Sequence, residues 1–258
     1  MHSVNPRSDQ PVEWSRITER LASAMPSFGV SGYFAKKQAL LSDSDIIVIV
    51  HDSIEDEPAG FLAASWSKTT EPRFLYIRTL LIAEQWHRSQ VIHLIYRRLF
   101  ENILDDGHDF PSVIVFKTYN PKSFAAMAAF RRVPGATVYP FINGVGNQSV
   151  LPHVRAIAAE LAPGSPLDEA TGVLAGAADG VTDFYATMPL SGTEWIDTHF
   201  QRHVTPADRM LACLFTGGQA GAARILRAFG VRRGNAAIVP AVHQADVAAA
   251  PRILSASS

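Results

Sequence analysis

The apolar positions along the chain change period several times, and each change marks an element. Trp14, Ile17, Leu21 and Met25 recur at helical spacing over 14–25, and a second helical stretch over 33–41 follows a Gly-Val-Ser-Gly turn. Asp45-Ile-Ile-Val-Ile-Val-His then gives a β-branched run that predicts a buried strand. The acidic segment 52–58 ends in proline and reads as a turn, with 60–66 returning as the second strand of a hairpin. A polar loop over 67–72 leads to a third strand, Phe74-Leu-Tyr-Ile-Arg-Thr-Leu-Leu-Ile. Over 88–104, Val91, Ile95, Leu99 and Ile103 share one helix face, and Gly107 supplies a left-handed stop. Residues 111–118 predict another buried strand. Asn120 is a good N-cap and Pro121 is tolerated at the first helical position, so a helix begins there with Phe124, Met127 and Phe130 inward. Pro134-Gly135 ends it, and 136–142 alternates as a further strand.

The order up to Ile142 is thus helix, helix, three strands, helix, strand, helix, strand. A hairpin-built sheet that turns parallel across one crossover helix is a mixed α/β (α+β) layer architecture. Beyond Asn143 the chain becomes rich in Ala and Gly, and the β-branched runs thin out. Short helices are expected over 151–161 and 167–177, and Thr193 caps another through His203. Residues 210–216 are too short an apolar run to reveal their period. Gly217-Gly218-Gln-Ala-Gly221 precedes an amphipathic stretch ending near Phe229-Gly230. Residues 236–242 are read as a last strand and the end after Ala248 as frayed.

Composition narrows the function classes. Of 258 residues, 47% are hydrophobic and 18% charged, which excludes a disordered or collagen-like chain. With 24 acidic and 23 basic residues the net charge is -1. Nothing global therefore draws the chain to nucleic acid or to an anionic membrane, and neither is expected as a partner. The first residues lack the apolar core of a signal peptide and no run approaches a membrane span, so a cytoplasmic protein is expected. The single cysteine, Cys213, makes no internal disulfide and sits in an apolar run, where a core role outweighs a nucleophilic one. His199 and His203 share a helix face at i and i+4. They lack a third ligand and the Glu of a zinc hydrolase motif, so no metal is expected.

Two segments carry a resemblance. Tyr76-Ile-Arg-Thr-Leu-Leu-Ile-Ala-Glu-Gln-Trp-His-Arg-Ser-Gln-Val-Ile-His-Leu-Ile reads as strand, loop and helix, and Thr118-Tyr-Asn-Pro-Lys-Ser-Phe-Ala-Ala-Met as a strand end and an asparagine-opened helix. With the element order, they resemble the GNAT acyltransferase superfamily, over about 12–142, with 143–258 as a C-terminal extension. The resemblance implies a mostly antiparallel sheet with a splayed parallel strand pair flanked by helices. It implies acetyl-coenzyme A, or another acyl-coenzyme A, as cosubstrate and a small-molecule amine as acceptor. The physical logic is that a helix N-terminus offers unpaired N–H groups to a pyrophosphate, while splayed strands offer theirs to the pantetheine amides.

Carried over by position, the resemblance assigns the cofactor arm to Leu80, Leu81 and Ile82. The pyrophosphate falls to Arg88, Ser89, Gln90, Val91, Ile92 and His93, with Asn120 and Ser123 on the neighbouring helix. Glu84 and His87 are the candidate bases for the amine, and Tyr119 the candidate acid for the leaving thiolate. The chain departs from the pattern at Val91 and His93, where the family loop has glycines. It departs again at Met127, where a tyrosine acid is frequent, and at Arg131-Arg132, where Gly-Phe commonly ends the helix. Two functions therefore stand: an N-acyltransferase, or the same fold without turnover, working as a binding or scaffolding module. The extension would then shape the acceptor side, form a homodimer contact, or carry a partner surface.

Overall fold

In the computed structural model the described residues are 3–4 and 14–231, except 38, 53–56, 72, 88, 145 and 183. The β-branched runs become strands of one sheet: β1 (Ser3–Val4), β2 (Ile46–His51), β3 (Pro58–Trp66), β4 (Phe74–Ile82) and β5 (Val113–Thr118) pair in that order. The pairs from β1 to β4 are antiparallel, whereas β4 and β5 run parallel. Their connection is α4 (Val91–Asp105), which packs Val91, Ile95, Leu99 and Ile103 on the sheet as its period predicts.

Alternation along the strands divides the core between two faces. Val48 and Val50 of β2 face α4 and α5 (Pro121–Ala128), while Ile47 and Ile49 face α1 (Trp14–Ala24) and α2 (Val30–Lys36). The predicted helix over 33–41 is split into α2 and a single turn, α3 (Ala39–Ser42).

The second half departs most from expectation. Residues 136–142 shorten to β6 (Thr137–Tyr139), which does not join β5. A 3-10 turn at Gln148–Val150 leads into α6 (Leu151–Leu161), which forms as predicted and covers the second face near β5. The expected helix over 167–177 is instead a hairpin of β7 (Leu167–Asp168) and β8 (Val173–Leu174). Two features bend it: Asp168 accepts from Ala170 N and Thr171 Oγ1, and Gly172 takes φ +78. An aspartate that bonds its own turn competes with a helix, and a residue with positive φ ends one.

After α7 (Glu194–His203), the ambiguous run resolves as β9 (Arg209–Phe215), a strand buried inside the sheet. β9 pairs antiparallel with β5 from Val113–Phe215 to Thr118–Met210, with β6 over its Phe215 end and with β8 over its Met210 end. A boundary at residue 142 therefore cuts through a continuous sheet: the extension supplies an interior strand. α8 (Gly218–Ala228) follows, with Ile225 and Leu226 in the core. Cys213 is fully buried among Val113, Val115 and Leu211, and burial pushes its thiol well up. The strand read over 236–242 and the frayed end lie outside the described residues.

Candidate functional site: a cleft between two diverging strands

The β4–β5 ladder covers only Phe74–Val113 to Tyr76–Val115, yet β4 continues to Ile82 and β5 to Thr118. The cause is local. In the β3–β4 register, Ala64 faces Ile77 and Ala63 faces Thr79, so Arg78 is an extra residue that bulges β4. A bulge bends its strand and increases its twist. Beyond it the two parallel strands part and leave a cavity of about 120 Å³.

Leu80 and Leu81 line this cavity from β4, and Thr118, Tyr119, Asn120 and Ser123 from the end of β5 and the start of α5. Asn120 caps α5: its Oδ1 accepts from Lys122 N at 2.9 Å. The other end of the same amide does something the sequence did not indicate. Asn120 Nδ2 donates to Tyr185 Oη at 2.9 Å. Tyr185 belongs to the segment between β8 and α7, which lies over the strand ends. Phe184 and Tyr185 pack on the loop before α2: Phe28 and Phe184 stack at 5.6 Å and 5°, and Tyr185 meets Phe28 edge-on at 5.1 Å. Burial pushes the Tyr185 phenol up to about 12, against a smaller lowering by Asn120.

Farther back, Lys117 Nζ donates to Leu161 O at 2.9 Å and lies 3.3 Å from Asp179. Burial lowers the Lys117 ammonium and Asp179 pulls it the other way. Asp179 also pairs with Lys37 at 3.0 Å. Burial alone would raise its carboxyl, but Lys117 and Lys37 together hold it below the ordinary range.

The expected pyrophosphate cradle at the start of α4 is arranged differently. Val91 is 4% exposed, in the core, beside Ile95. Gly60 of β3 makes room for both: a Cβ there would meet Ile95 Cδ1 at 2.5 Å and Val91 Cγ1 at 3.0 Å. The Ser89 amide donates to Trp86 O at 3.1 Å, and the Val91 amide to Ser89 Oγ at 3.2 Å. Gln90 is the N-cap, its carbonyl accepts from Leu94 N, and Ile92 packs on the core. His93 stacks on Phe229 at 4.7 Å and 16°, and burial, then Arg97, lowers its pKa. Two of the amides at this helix start, those of Ser89 and Val91, are thus engaged inside the protein. Arg88 lies outside the described residues.

The two candidate bases stand apart from the cavity lining. Both Glu84 oxygens accept from Ser27, from its amide at 2.7 Å and its hydroxyl at 3.1 Å. His87 Nε2 donates to Ile82 O at 3.0 Å, so Ile82 and His87 are tied to each other. The structure thus brings together Leu80, Leu81, Tyr119, Asn120 and Ser123, and leaves Glu84, His87 and the 89–93 set elsewhere.

Other departures now have physical roles. Met127 is buried in the core, and Arg131 clamps the turn after β6 by donating to Pro140 O at 2.7 Å and Ile142 O at 3.0 Å. His199 and His203 lie 4.9 Å apart, but His199 Nε2 is committed to Thr171 O at 2.9 Å. Among the described residues no group of three His, Cys, Asp or Glu side chains is placed to hold a metal ion. No helix among them is long and apolar enough to cross a membrane.

A hairpin-built sheet, a crossover helix to a parallel strand, a bulge that parts the pair and an asparagine-capped helix at its mouth decide the architecture. The fold is of the GNAT type. No protein-family model and no curated protein matches the chain. Solved structures similar to it include an aminoglycoside acetyltransferase from an uncultured soil metagenomic sample, 23% identical over 42% of this chain and 72% of that one, TM-score 0.31. Another is a GNAT family N-acetyltransferase from Escherichia coli in complex with CoA, 14% identical over 46% of this chain, TM-score 0.35; the match spans 64% of that protein's length. A third is a GNAT-family acetyltransferase, so described, from Desulfovibrio desulfuricans, 10% identical over 80% of this chain and 94% of that one, TM-score 0.35. With overlaps this loose, the sheet order and the parted strands carry the assignment of fold.

Proposed function

We propose that the chain is an acyl-coenzyme A-dependent N-acyltransferase that transfers acetyl, or a longer acyl group, to a small-molecule amine. The observation that carries this reading is the parted β4–β5 pair with Asn120, Tyr119 and Tyr185 at its mouth. Strand edges freed of their partner suit the amides of a pantetheine arm. The start of α4 does not suit a pyrophosphate in the same way, because the Ser89 and Val91 amides are engaged and Val91 is in the core. No role in the reaction is routed through that helix start.

Acyl-coenzyme A would supply a thioester. The chain's own residues would position the amine beside it and manage one proton, with proximity supplying much of the rate. As the acyl carbon–nitrogen bond forms and the carbon–sulfur bond breaks, the amine loses a proton to water and the departing thiolate gains one. Tyr185 is placed to give it. Its Oη accepts from Asn120, which leaves its own proton to donate, and burial keeps that proton on at neutral pH. Tyr119, at the end of β5, is the second phenol at the same mouth.

The test is direct. Acetyl-coenzyme A should bind in calorimetry, and a panel of amines should release free thiol. A second reading, a non-catalytic binding module, is favoured by one fact: the Asn120 amide and the cleft mouth are already met by Tyr185 and Phe184. Binding without thiol release across the amine panel supports that module, and absence of binding removes the transferase.

A further inference from the structure

The segment between β8 and α7 supplies one wall of the cleft, through Val181, Thr182, Phe184 and Tyr185. Both of its ends are anchored. Before the wall, Asp179 pairs with Lys37 at 3.0 Å and with Lys117 at 3.3 Å, and Val181 O accepts from Arg209 Nη2. After it, the Ser191 and Gly192 amides donate to the Asp197 carboxylate of α7 at 2.7 Å and 3.0 Å. The middle is held differently. Among the described residues of 182–190, the backbone makes one hydrogen bond to other backbone, accepted by Phe184 O from Gly29 N at 3.3 Å. The neighbouring wall strand β5, by contrast, pairs with β9 from Val113 to Thr118.

Side chains fasten that middle. Phe184 stacks on Phe28 and lies 5.2 Å from the Tyr33 ring, and Tyr185 Oη accepts from Asn120 Nδ2. Such contacts part without breaking a strand ladder, and local opening is cheapest where backbone hydrogen bonds are few. The flanks hold residues in left-handed conformations, Asp179 at φ +51 and Gly180 at φ +75 on one side and Gly192 at φ +81 on the other. Hinges are a few positions of this kind, at element ends, that absorb a change of backbone angle. With the segment fastened, the cavity has about 120 Å³, below the roughly 300–1,000 Å³ of an ordinary small-molecule site. A cosubstrate with a long arm needs this wall to move.

We propose that the segment between β8 and α7 is a strap that gates the cleft. Released from Phe28 and Asn120, it swings on its anchored ends and opens the mouth. Refastened, it completes the wall and returns the Tyr185 hydroxyl to Asn120. The proposal rests on the transferase reading only for what passes the gate, acyl-coenzyme A and its acceptor; the gate itself rests on how the strap is held. One fastening then serves two ends: the Tyr185 acid is in place only when the strap is closed, so a thioester meets it after water is shut out.

Lys117 can report on the gate. It lines the cavity with its side chain 8% exposed, whereas Lys122, in the first turn of α5, is exposed. The experiment treats the full chain briefly with the N-hydroxysuccinimide ester of acetic acid and reads each lysine by peptide mass spectrometry, with Lys122 as the internal standard. Tyr185→Phe keeps the ring that fills the mouth and removes only the fastening to Asn120. Lys117 should then label about fivefold faster relative to Lys122, the scale of one net hydrogen bond. Coenzyme A should associate faster by a similar factor in stopped-flow mixing. Phe28→Leu, which loosens the stack without altering the strap, should act in the same direction. Equal Lys117 labelling in all three proteins makes the segment a fixed wall and overturns the gate. Coenzyme A that binds at one rate with and without the Tyr185 hydroxyl overturns it too, and leaves the transferase standing. Faster Lys117 labelling with no heat from coenzyme A in any of the proteins supports the gate and removes the transferase.

Discussion

The start of α4 and the parted ends of β4 and β5 share one edge of the sheet and are built differently. At the start of α4, Val91 fills the space that Gly60 leaves open, and the Ser89 and Val91 amides are satisfied locally. At the far ends of β4 and β5 the backbone parts, the lining is polar, and an asparagine, three tyrosines and three cations converge. One region is packed core and the other an open, polar gap. The contrast teaches that a helix start packed as core can sit directly beside an open, polar strand gap.

The largest effect expected on that comparison is at the site end. Tyr185→Phe removes the proton donor but keeps its ring on Phe28, so kcat for thiol release should fall about 10²-fold with little change in melting temperature. Unchanged kcat would move the acid role to Tyr119. At the packed end, Val91→Gly removes a buried side chain and puts glycine in a helix. Stability in urea should drop by about 2–3 kcal/mol. Coenzyme A affinity should stay the same, because the Ser89 amide remains engaged; a marked rise would show that Val91 alone closes the cradle.

Asn120→Ala acts on the cleft side alone, since it removes the α5 cap and the Tyr185 partner together. About 1 kcal/mol of stability should be lost, with a smaller loss in Asn120→Ser, which can still cap. The smallest effect is in acid. Asp179 titrates lower in the folded chain than in the unfolded one, where aspartate sits near about 3.9. Its contribution is therefore complete above that value and disappears as pH falls through the lower folded value. With its side chain 54% exposed the contribution is small, and Asp179→Asn should flatten the acid limb of a stability profile only slightly.

Much of the first half was legible because period and capping act locally. The buried runs of β2, β4 and β5 and the four-residue stripe on α4 need only their own sequence to be recognised, and Asn120-Pro121 announces a helix start chemically. The second half was not. The β7–β8 hairpin depends on Asp168 bonding its own turn and on Gly172, a signal that an apolar count over 167–177 passes over. β9 lacked a visible period because it is buried on both faces, which itself is the mark of an interior strand.

The site divides in the same way. Leu80, Leu81, Tyr119, Asn120 and Ser123, expected from motif and strand end, all line the cavity. Tyr185 was missed because it meets Asn120 across 65 residues of chain, and Arg209 because it reaches the cavity lining only when β9 enters the sheet beside β5. The adjacent Phe184-Tyr185 aromatics within an Ala/Gly-rich stretch were the available hint. In the other direction, Val91 and His93 were assigned to a phosphate by position in a motif. Their side chains are packed, Val91 in the α4 stripe and His93 on Phe229.

The most direct measurement is a calorimetric titration of the intact chain with acetyl-coenzyme A, alongside a melting curve at saturating ligand. If the parted strands receive a thioester arm, saturable heat appears and the melting temperature rises with ligand concentration. A flat titration with an unmoved melting curve would contradict the account, leaving the GNAT-type sheet as architecture alone.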